Sequence, residues 1–216
     1  MIPKLTQYNH FFPNPRLASK EGLVAWGGDL SPDRVMSAYL KGIFPWYNEN
    51  DPILWWSPDP RLILYPNDLK ISKSLKKSLK KYTVKINHDF SSIIKACRDT
   101  RVENGEGSWI IDEVIECYEE LHKRGLVISF ETYLGDELVG GLYGVDLGKV
   151  FCGESMFSKS RDASKVALVA LSEYCLKNGY DFIDCQIPTE HLKSMGAIEI
   201  CRDEFLDKLK ERVGSV

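Results

Sequence analysis

At 216 residues, 44% hydrophobic and 27% charged, the chain has the composition of a globular protein able to bury a substantial core, which excludes disorder as its main state. The net charge is −3, no apolar run approaches the roughly 18–20 residues of a membrane span, and the start Met1-Ile-Pro-Lys-Leu-Thr-Gln7 lacks a signal peptide's apolar centre; a cytoplasmic location without membrane contact is expected. Six cysteines without a CxxC pair and four histidines without an HxxxH pair point to reduced thiols and to no metal site.

The first part of the chain reads as turns and short elements. Ser31 followed by Pro32, an N-cap and then proline at the first helical position, starts a helix that ends at Gly42. Residues 42–61, Gly-Ile-Phe-Pro-Trp-Tyr-Asn-Glu-Asn-Asp-Pro-Ile-Leu-Trp-Trp-Ser-Pro-Asp-Pro-Arg, hold three of the five tryptophans among four prolines. Proline lacks a backbone donor and pushes its predecessor towards extended conformations, so a rigid irregular loop is expected rather than a helix or central strand. Trp46, Trp55 and Trp56 then either present flat faces to a stacked base or fill a core, and both readings stay open.

A short strand over Leu62–Tyr65 leads to a basic segment. Residues 69–85 contain seven lysines and no acid, so the rest of the chain carries −10 against −3 overall. Leu75 and Leu79 at i, i+4 and Ser72 as N-cap predict a short helix with Lys73, Lys77 and Lys80 on one face. Together with Lys76 and Lys81 these lysines are either a solvated helix surface or a polyanion site, for which such a concentrated patch is electrostatically suited. A boundary near residue 87 divides a small irregular N-terminal domain (1–87) from a second domain (88–216).

Beyond it, Asp89 and Asp112 are expected to cap helices 90–98 and 113–124, the second stopped by Gly125. Strands 127–134, 137–145 and 149–157, joined by Gly135-Asp136 and Leu147-Gly148 turns, form an antiparallel meander. A helix over 162–178 closed by Gly179, a strand over 180–184 and a helix near 203–212 complete an α+β chain. Three strands, a long helix and another strand follow the order of an acetyltransferase-like (GNAT-like) mixed sheet with flanking helices. A CoA-using member needs a glycine-rich turn before that helix, so that backbone amides hold the pyrophosphate. Here the turn is Phe157-Ser-Lys-Ser-Arg-Asp-Ala163, which makes a CoA thioester a poor donor.

Two stretches look chemical. In Phe151-Cys-Gly-Glu-Ser-Met-Phe-Ser158, strict alternation puts Phe151, Gly153, Ser155 and Phe157 on one face and Cys152, Glu154 and Met156 on the other. Asp184 and Gln186, at i and i+2, would share a face. A carboxylate beside a carboxamide can orient a nucleophilic amine; equally, the pair can end a strand ahead of a fixed turn at Pro188.

Six blocks taken together carry a resemblance: Gly22-Leu-Val-Ala-Trp-Gly-Gly-Asp-Leu-Ser-Pro32, Gly42-Ile-Phe-Pro-Trp46, Leu54-Trp-Trp-Ser-Pro-Asp-Pro-Arg61, the stretch 151–158, Asp184-Cys-Gln186 and Ser194-Met-Gly-Ala197. The chain resembles bacterial leucyl/phenylalanyl-tRNA–protein transferases over nearly its whole length. The resemblance implies transfer of Leu or Phe, and less well Met, from its tRNA to the N-terminal amine of proteins beginning with Arg or Lys, marking them for degradation. It also implies a small N-terminal domain joined to a GNAT-like domain, without metal, nucleotide or CoA. Trp46 and Trp109, the latter in Gly107-Ser-Trp-Ile110, then hold the terminal adenosine, and Lys73, Lys76, Lys77, Lys80 and Lys81 meet acceptor-stem phosphates. Leu142, Met156 and Ile183, with Phe151 nearby, form the side-chain pocket. Gln186 faces the amine through its carbonyl oxygen, Asp184 polarises Gln186 or anchors the ammonium, and Glu154 completes the network. The final proton acceptor stays open, since the tRNA's own vicinal hydroxyl could serve. Thr189, where the resemblance leads to expect Asn, and the short end after the last helix bear on the acceptor side. The competing classes are a CoA-dependent N-acetyltransferase, a non-catalytic tRNA-binding module and a transferase with acidic N-terminal acceptors.

Overall fold

In chain order the elements are β1 (Lys4–Leu5), β2 (Leu23–Gly27), α1 (Pro32–Tyr39), β3 (Phe44–Pro45), β4 (Leu54–Trp56), β5 (Arg61–Leu64), α2 (Lys73–Ser78), β6 (Thr83–Ile86), α3 (Phe90–Glu103) and α4 (Asp112–Lys123). They continue with β7 (Val127–Leu134), β8 (Glu137–Asp146), β9 (Val150–Ser158), α5 (Ala163–Asn178), β10 (Phe182–Gln186), α6 (Glu190–Ser194), β11 (Ile198–Ile200) and α7 (Arg202–Val213). This computed structural model describes residues 2–7, 10–105 and 108–214; Gly107 of the Trp109 block lies outside the described residues.

Two sheets form. The smaller has the order β1-β2-β4-β3 and the larger β11-β5-β10-β9-β8-β7-β6. The tryptophan–proline segment therefore differs from the irregular loop expected of it: Leu54–Trp56 is an inner strand between β2 and β3. Its three residues carry all their backbone donors, because Pro52 and Pro58 fall outside the strand and Pro45 sits on the edge strand, where a missing donor is tolerated. The tryptophans separate accordingly. Trp55 is fully buried, its indole N–H donating to the Gly27 carbonyl at 2.9 Å, whereas Trp46 is 47% exposed.

The larger sheet contains the acetyltransferase-like order: antiparallel β7, β8 and β9, then α5, then β10 parallel to β9. It recruits β5 and β6 as well, so the sheets change over between Trp56 and Arg61 and not near residue 87. The strand at β6 is masked in the sequence by the lysines around Thr83-Val-Lys-Ile86. One apolar core runs between the sheets, joining Tyr39, Phe44 and Trp55 to Phe182 and Phe205; a second lies under α5. Ser72 caps α2 through its Oγ and Asp89 caps α3 through Oδ1, which extends past 98 to Glu103. Asp112 is the first residue of α4, with Ile111 at the cap position, where its charge still suits the helix N-terminus.

The feature that shapes the site is a pair of β-bulges. Tyr143 lies opposite Ser155 and Gly144 opposite Gly153, which leaves Glu154 as the extra residue of β9. On β10, Asp184 pairs with Ile63 and Gln186 with Leu62, leaving Cys185 extra. The first bulge overturns the strict alternation expected of 151–158: Phe151 and Met156 face the core under α5, whereas Cys152 and Phe157 face the other core. Gly144 opposite the bulge has no room for a side chain, since a Cβ there would meet the Cys152 carbonyl and stand 2.6 Å from the Phe151 ring. Among the described residues no helix is long and apolar enough to cross a membrane, and no three His, Cys, Asp or Glu side chains are grouped to hold a metal ion.

Candidate active site

Strands β9 and β10 pair in parallel as far as Cys152 and Asp184 and then part. The gap opens into a cavity of about 440 Å³. Phe44, Trp46 and Trp109 form its aromatic side, and Leu142, Met156, Leu168, Leu171 and Ile183 its apolar end. Between them lie Gly153, Glu154 and Gln186, supplied by the two bulged strands, with Arg101, Tyr143 and Ser155 alongside. Bulges re-aim side chains; here they turn a carboxyl and a carboxamide into the same opening.

The Gln186 side chain donates from Nε2 to the Gly153 carbonyl at 2.8 Å and to Glu154 Oε1 at 2.9 Å. With both amide hydrogens engaged, the carbonyl oxygen is what Gln186 offers to a donor. The other Glu154 oxygen accepts from Tyr118 Oη at 3.0 Å, and Tyr118 Oη lies 2.6 Å from Tyr39 Oη. Burial pushes the Glu154 carboxyl up to about 7, and the nearby Asp184 charge adds to the rise; hydrogen bonds from Tyr39, Tyr118 and Gln186 pull the other way. Burial holds both tyrosines well above their usual 10, so they remain donors. A carboxyl poised near neutral pH can both accept and return a proton.

Seven of the sequence-predicted residues line this one cavity: Glu154, Gln186, Trp46, Trp109, Leu142, Met156 and Ile183. Phe151 does not. It shares the face of Met156 but is completely buried beneath the sheet surface, 6.2 Å edge-on from Phe130. Asp184 is also outside the cavity wall and does not share a face with Gln186. Arg61 holds its carboxylate in a two-pronged grip, Nε to Oδ1 at 2.8 Å and Nη2 to Oδ2 at 2.6 Å, so the ammonium-anchoring role has no free oxygen face to work with. Asp184 Oδ1 does accept the Gln186 backbone N–H at 3.0 Å. The five lysines are exposed and lie away from the cavity, with Lys80 and Lys81 in the turn after α2 and not on its helical face.

At the start of α5, where a CoA pyrophosphate would sit, stands Asp162, in a left-handed conformation with φ 63°. Its carboxylate accepts the Ser78 hydroxyl at 2.8 Å, and that bond, with Lys165 and Arg161 nearby, holds it below the usual carboxylate range. The helix N-terminus already carries a negative group of its own.

A profile of the leucyl/phenylalanyl-tRNA protein transferase family matches residues 63–210, and the profile of that family's N-terminal domain matches residues 28–59. The chain belongs to the leucyl/phenylalanyl-tRNA protein transferase family. Such a transferase from Sulfurimonas denitrificans is 53% identical over 97% of this chain and 92% of that protein, and one from Legionella pneumophila is 52% identical over 94% and 91%. A crystal structure of an aminoglycoside acetyltransferase from an uncultured soil sample aligns with TM-score 0.42 and 13% identity over 53% of this chain and 84% of that one.

Membership makes the chain an aminoacyltransferase. Reading the sequence missed Arg101 in the cavity wall, and Tyr118, Tyr39 and Arg61 in the hydrogen-bond networks behind it. Arg61 stands in the quoted Pro-Asp-Pro-Arg block, but its partner is 123 residues away, a separation with no local signature. Tyr118 lies on the buried face of α4 beside Val114, Ile115 and Leu121, indistinguishable by spacing from a core aromatic.

Proposed function

We propose that this chain transfers Leu or Phe, and less well Met, from aminoacyl-tRNA to the N-terminal α-amine of proteins that begin with Arg or Lys, and so marks them for degradation. One observation carries the reading: a single cavity joins aromatic residues, a Gln186–Glu154 polar pair and an apolar group around Leu142, Met156 and Ile183. The terminal adenosine stacks on Trp46 and Trp109, each stacked base contributing about 1–3 kcal/mol without reading sequence. The Leu or Phe side chain enters among Leu142, Met156 and Ile183, an apolar fit that separates neighbouring side chains by only about 1–3 kcal/mol. The exposed lysines Lys73, Lys76, Lys77, Lys80 and Lys81 meet acceptor-stem phosphates and set the position of the tRNA.

The ester is already activated, so the enzyme brings the amine close and handles its protons. Orientation of this kind supplies up to about 7–11 kcal/mol. The incoming amine donates to the Gln186 carbonyl oxygen and attacks the ester carbonyl carbon. The carbon–nitrogen bond forms, the carbon–oxygen bond to the ribose breaks, and the ribose oxygen leaves with a proton. Glu154 takes the amine's proton, either directly or through the tRNA's vicinal hydroxyl, and returns it to the departing ribose oxygen. It is also the one carboxylate among the described residues lining the cavity, which suits a cationic acceptor. Asp162 at the start of α5 argues against a CoA donor.

The test is incubation with phenylalanyl-tRNA and peptides that differ only in residue one, read by mass spectrometry. Peptides starting with Arg or Lys should gain a phenylalanyl residue. Gain on Asp or Glu peptides instead would overturn the acceptor assignment, and transfer from acetyl-CoA would overturn the donor.

A further inference from the structure

Asp184 and Gln186 look like a catalytic pair in sequence, yet only Gln186 reaches the cavity. Asp184 is fully buried, and its carboxylate is shared between Arg61 and the Gln186 backbone. Arg61 is itself 1% exposed, its guanidinium held between the rings of Phe44 and Phe205 at 4.9 and 4.4 Å from their centroids. A buried ion pair contributes little net stability, because removing two charges from water offsets most of their attraction. Arg61 Nη1 moreover has no hydrogen-bond partner among the described residues, so the arrangement is not optimised for stability.

What the pair does achieve is local. Gln186 sits at φ 63°, a left-handed conformation that a residue with a long side chain rarely adopts and that its surroundings must impose. The Cys185 bulge brings Gln186 there, and its backbone N–H is then caught by Asp184 Oδ1. From that backbone the carboxamide reaches Gly153 and Glu154.

We infer that Arg61 is a positioning residue for the transfer reaction: clamped between Phe44 and Phe205, it fixes Asp184, which fixes the Gln186 backbone so that the carboxamide faces the reacting amine. The inference rests on the proposed function in placing the amine at Gln186. Asp184 then acts through the protein and not on substrate.

The test is Arg61→Lys, which keeps the charge and loses the two-pronged geometry. Single-turnover transfer from saturating phenylalanyl-tRNA to an Arg-peptide should slow by about 10²-fold, the scale expected when a reacting group is misplaced by about 1 Å. Binding of phenylalanyl-tRNA should not change, and the Gln186 backbone amide should exchange with solvent faster in NMR. Wild-type turnover, or unchanged protection of the Gln186 amide, overturns the inference. Should Arg61→Lys fold poorly, the double variant Arg61→Met with Asp184→Leu replaces the ion pair by apolar groups of similar size, an exchange that is often neutral or stabilising. It should melt near wild type and lose turnover to the same degree; a stable double variant with full turnover overturns the inference. If the wild-type protein transfers from no charged tRNA, the functional reading falls, and the Gln186 exchange comparison still decides the positioning role.

Discussion

Glu154→Gln isolates the proton chemistry of the cavity, because glutamine keeps the size and hydrogen-bonding reach of glutamate and removes its titration. The folded chain holds the Glu154 proton up to about pH 7, against an ordinary 4.5. Between those values the folded state binds a proton that the unfolded state has released. Stability from this group is therefore full below about 4.5, falls as pH rises, and is lost above about 7, a change of about 3 kcal/mol. Urea unfolding of both proteins from pH 4.5 to 8 should show Glu154→Gln gaining about that much relative to wild type. Activity runs in the opposite direction, since the ionised form accepts the proton. The acceptor amine titrates too, near 8, but the ratio of wild-type to Glu154→Gln single-turnover rates cancels it. That ratio should fall about tenfold from pH 8 to pH 6, as the ionised fraction drops from about nine-tenths to about one-tenth. A ratio independent of pH, with no relative change in stability, refutes both the raised affinity for the proton and the role as base.

Trp46→Ala should raise the Michaelis constant for charged tRNA by roughly 5- to 150-fold, the equivalent of one lost stacking contact, with little change in melting temperature because the ring is half exposed; an unchanged constant with a large fall in melting temperature would make it a packing residue. Reversing Lys73, Lys77 and Lys80 to Glu should weaken tRNA binding and flatten its salt dependence while sparing a short aminoacyl-adenosine analogue; equal losses on both substrates would point away from phosphate contacts. Gln186→Ala should lower turnover by orders of magnitude at near-normal stability, whereas Asp184→Asn should lower turnover and also destabilise the fold by about 3–5 kcal/mol, since Arg61 would be left buried without its counter-charge. Matching turnover and urea midpoints for these two variants would erase the distinction between a group that touches the amine and one that holds it in place.

The long elements of the larger sheet were legible because their signals are local. β7, β8 and β9 are runs of eight to ten residues set off by the Gly135-Asp136 and Leu147-Gly148 turns, and α5 ends at Gly179, which adopts the left-handed conformation such a cap requires. The inner strand β4 was not legible: three residues between prolines carry too little pattern to outweigh their neighbours. Nor was the bulge at Glu154, since one extra residue leaves no compositional mark and only pairing with Gly144 and Tyr143 reveals it. That single residue brings Phe151 and Met156 onto one face, where strict alternation separates them. The Arg61–Asp184 pair escaped for a different reason, because nothing short of the folded sheet brings β5 beside β10.

The bulge in β9 also determines which changes this strand can absorb over evolutionary time. Side chains along it can be exchanged for others of similar bulk, and the turns at either end can lengthen at small entropic cost. The number of residues between Val150 and Ser158 has no such latitude. Deleting one would let β8 and β9 pair without interruption, a locally better ladder in which no residue is thrown out towards the gap beside β10. A lineage that lost it would keep a well-ordered sheet and give up the chemistry, so insertions and deletions in this family should collect in loops and stop at the borders of β9.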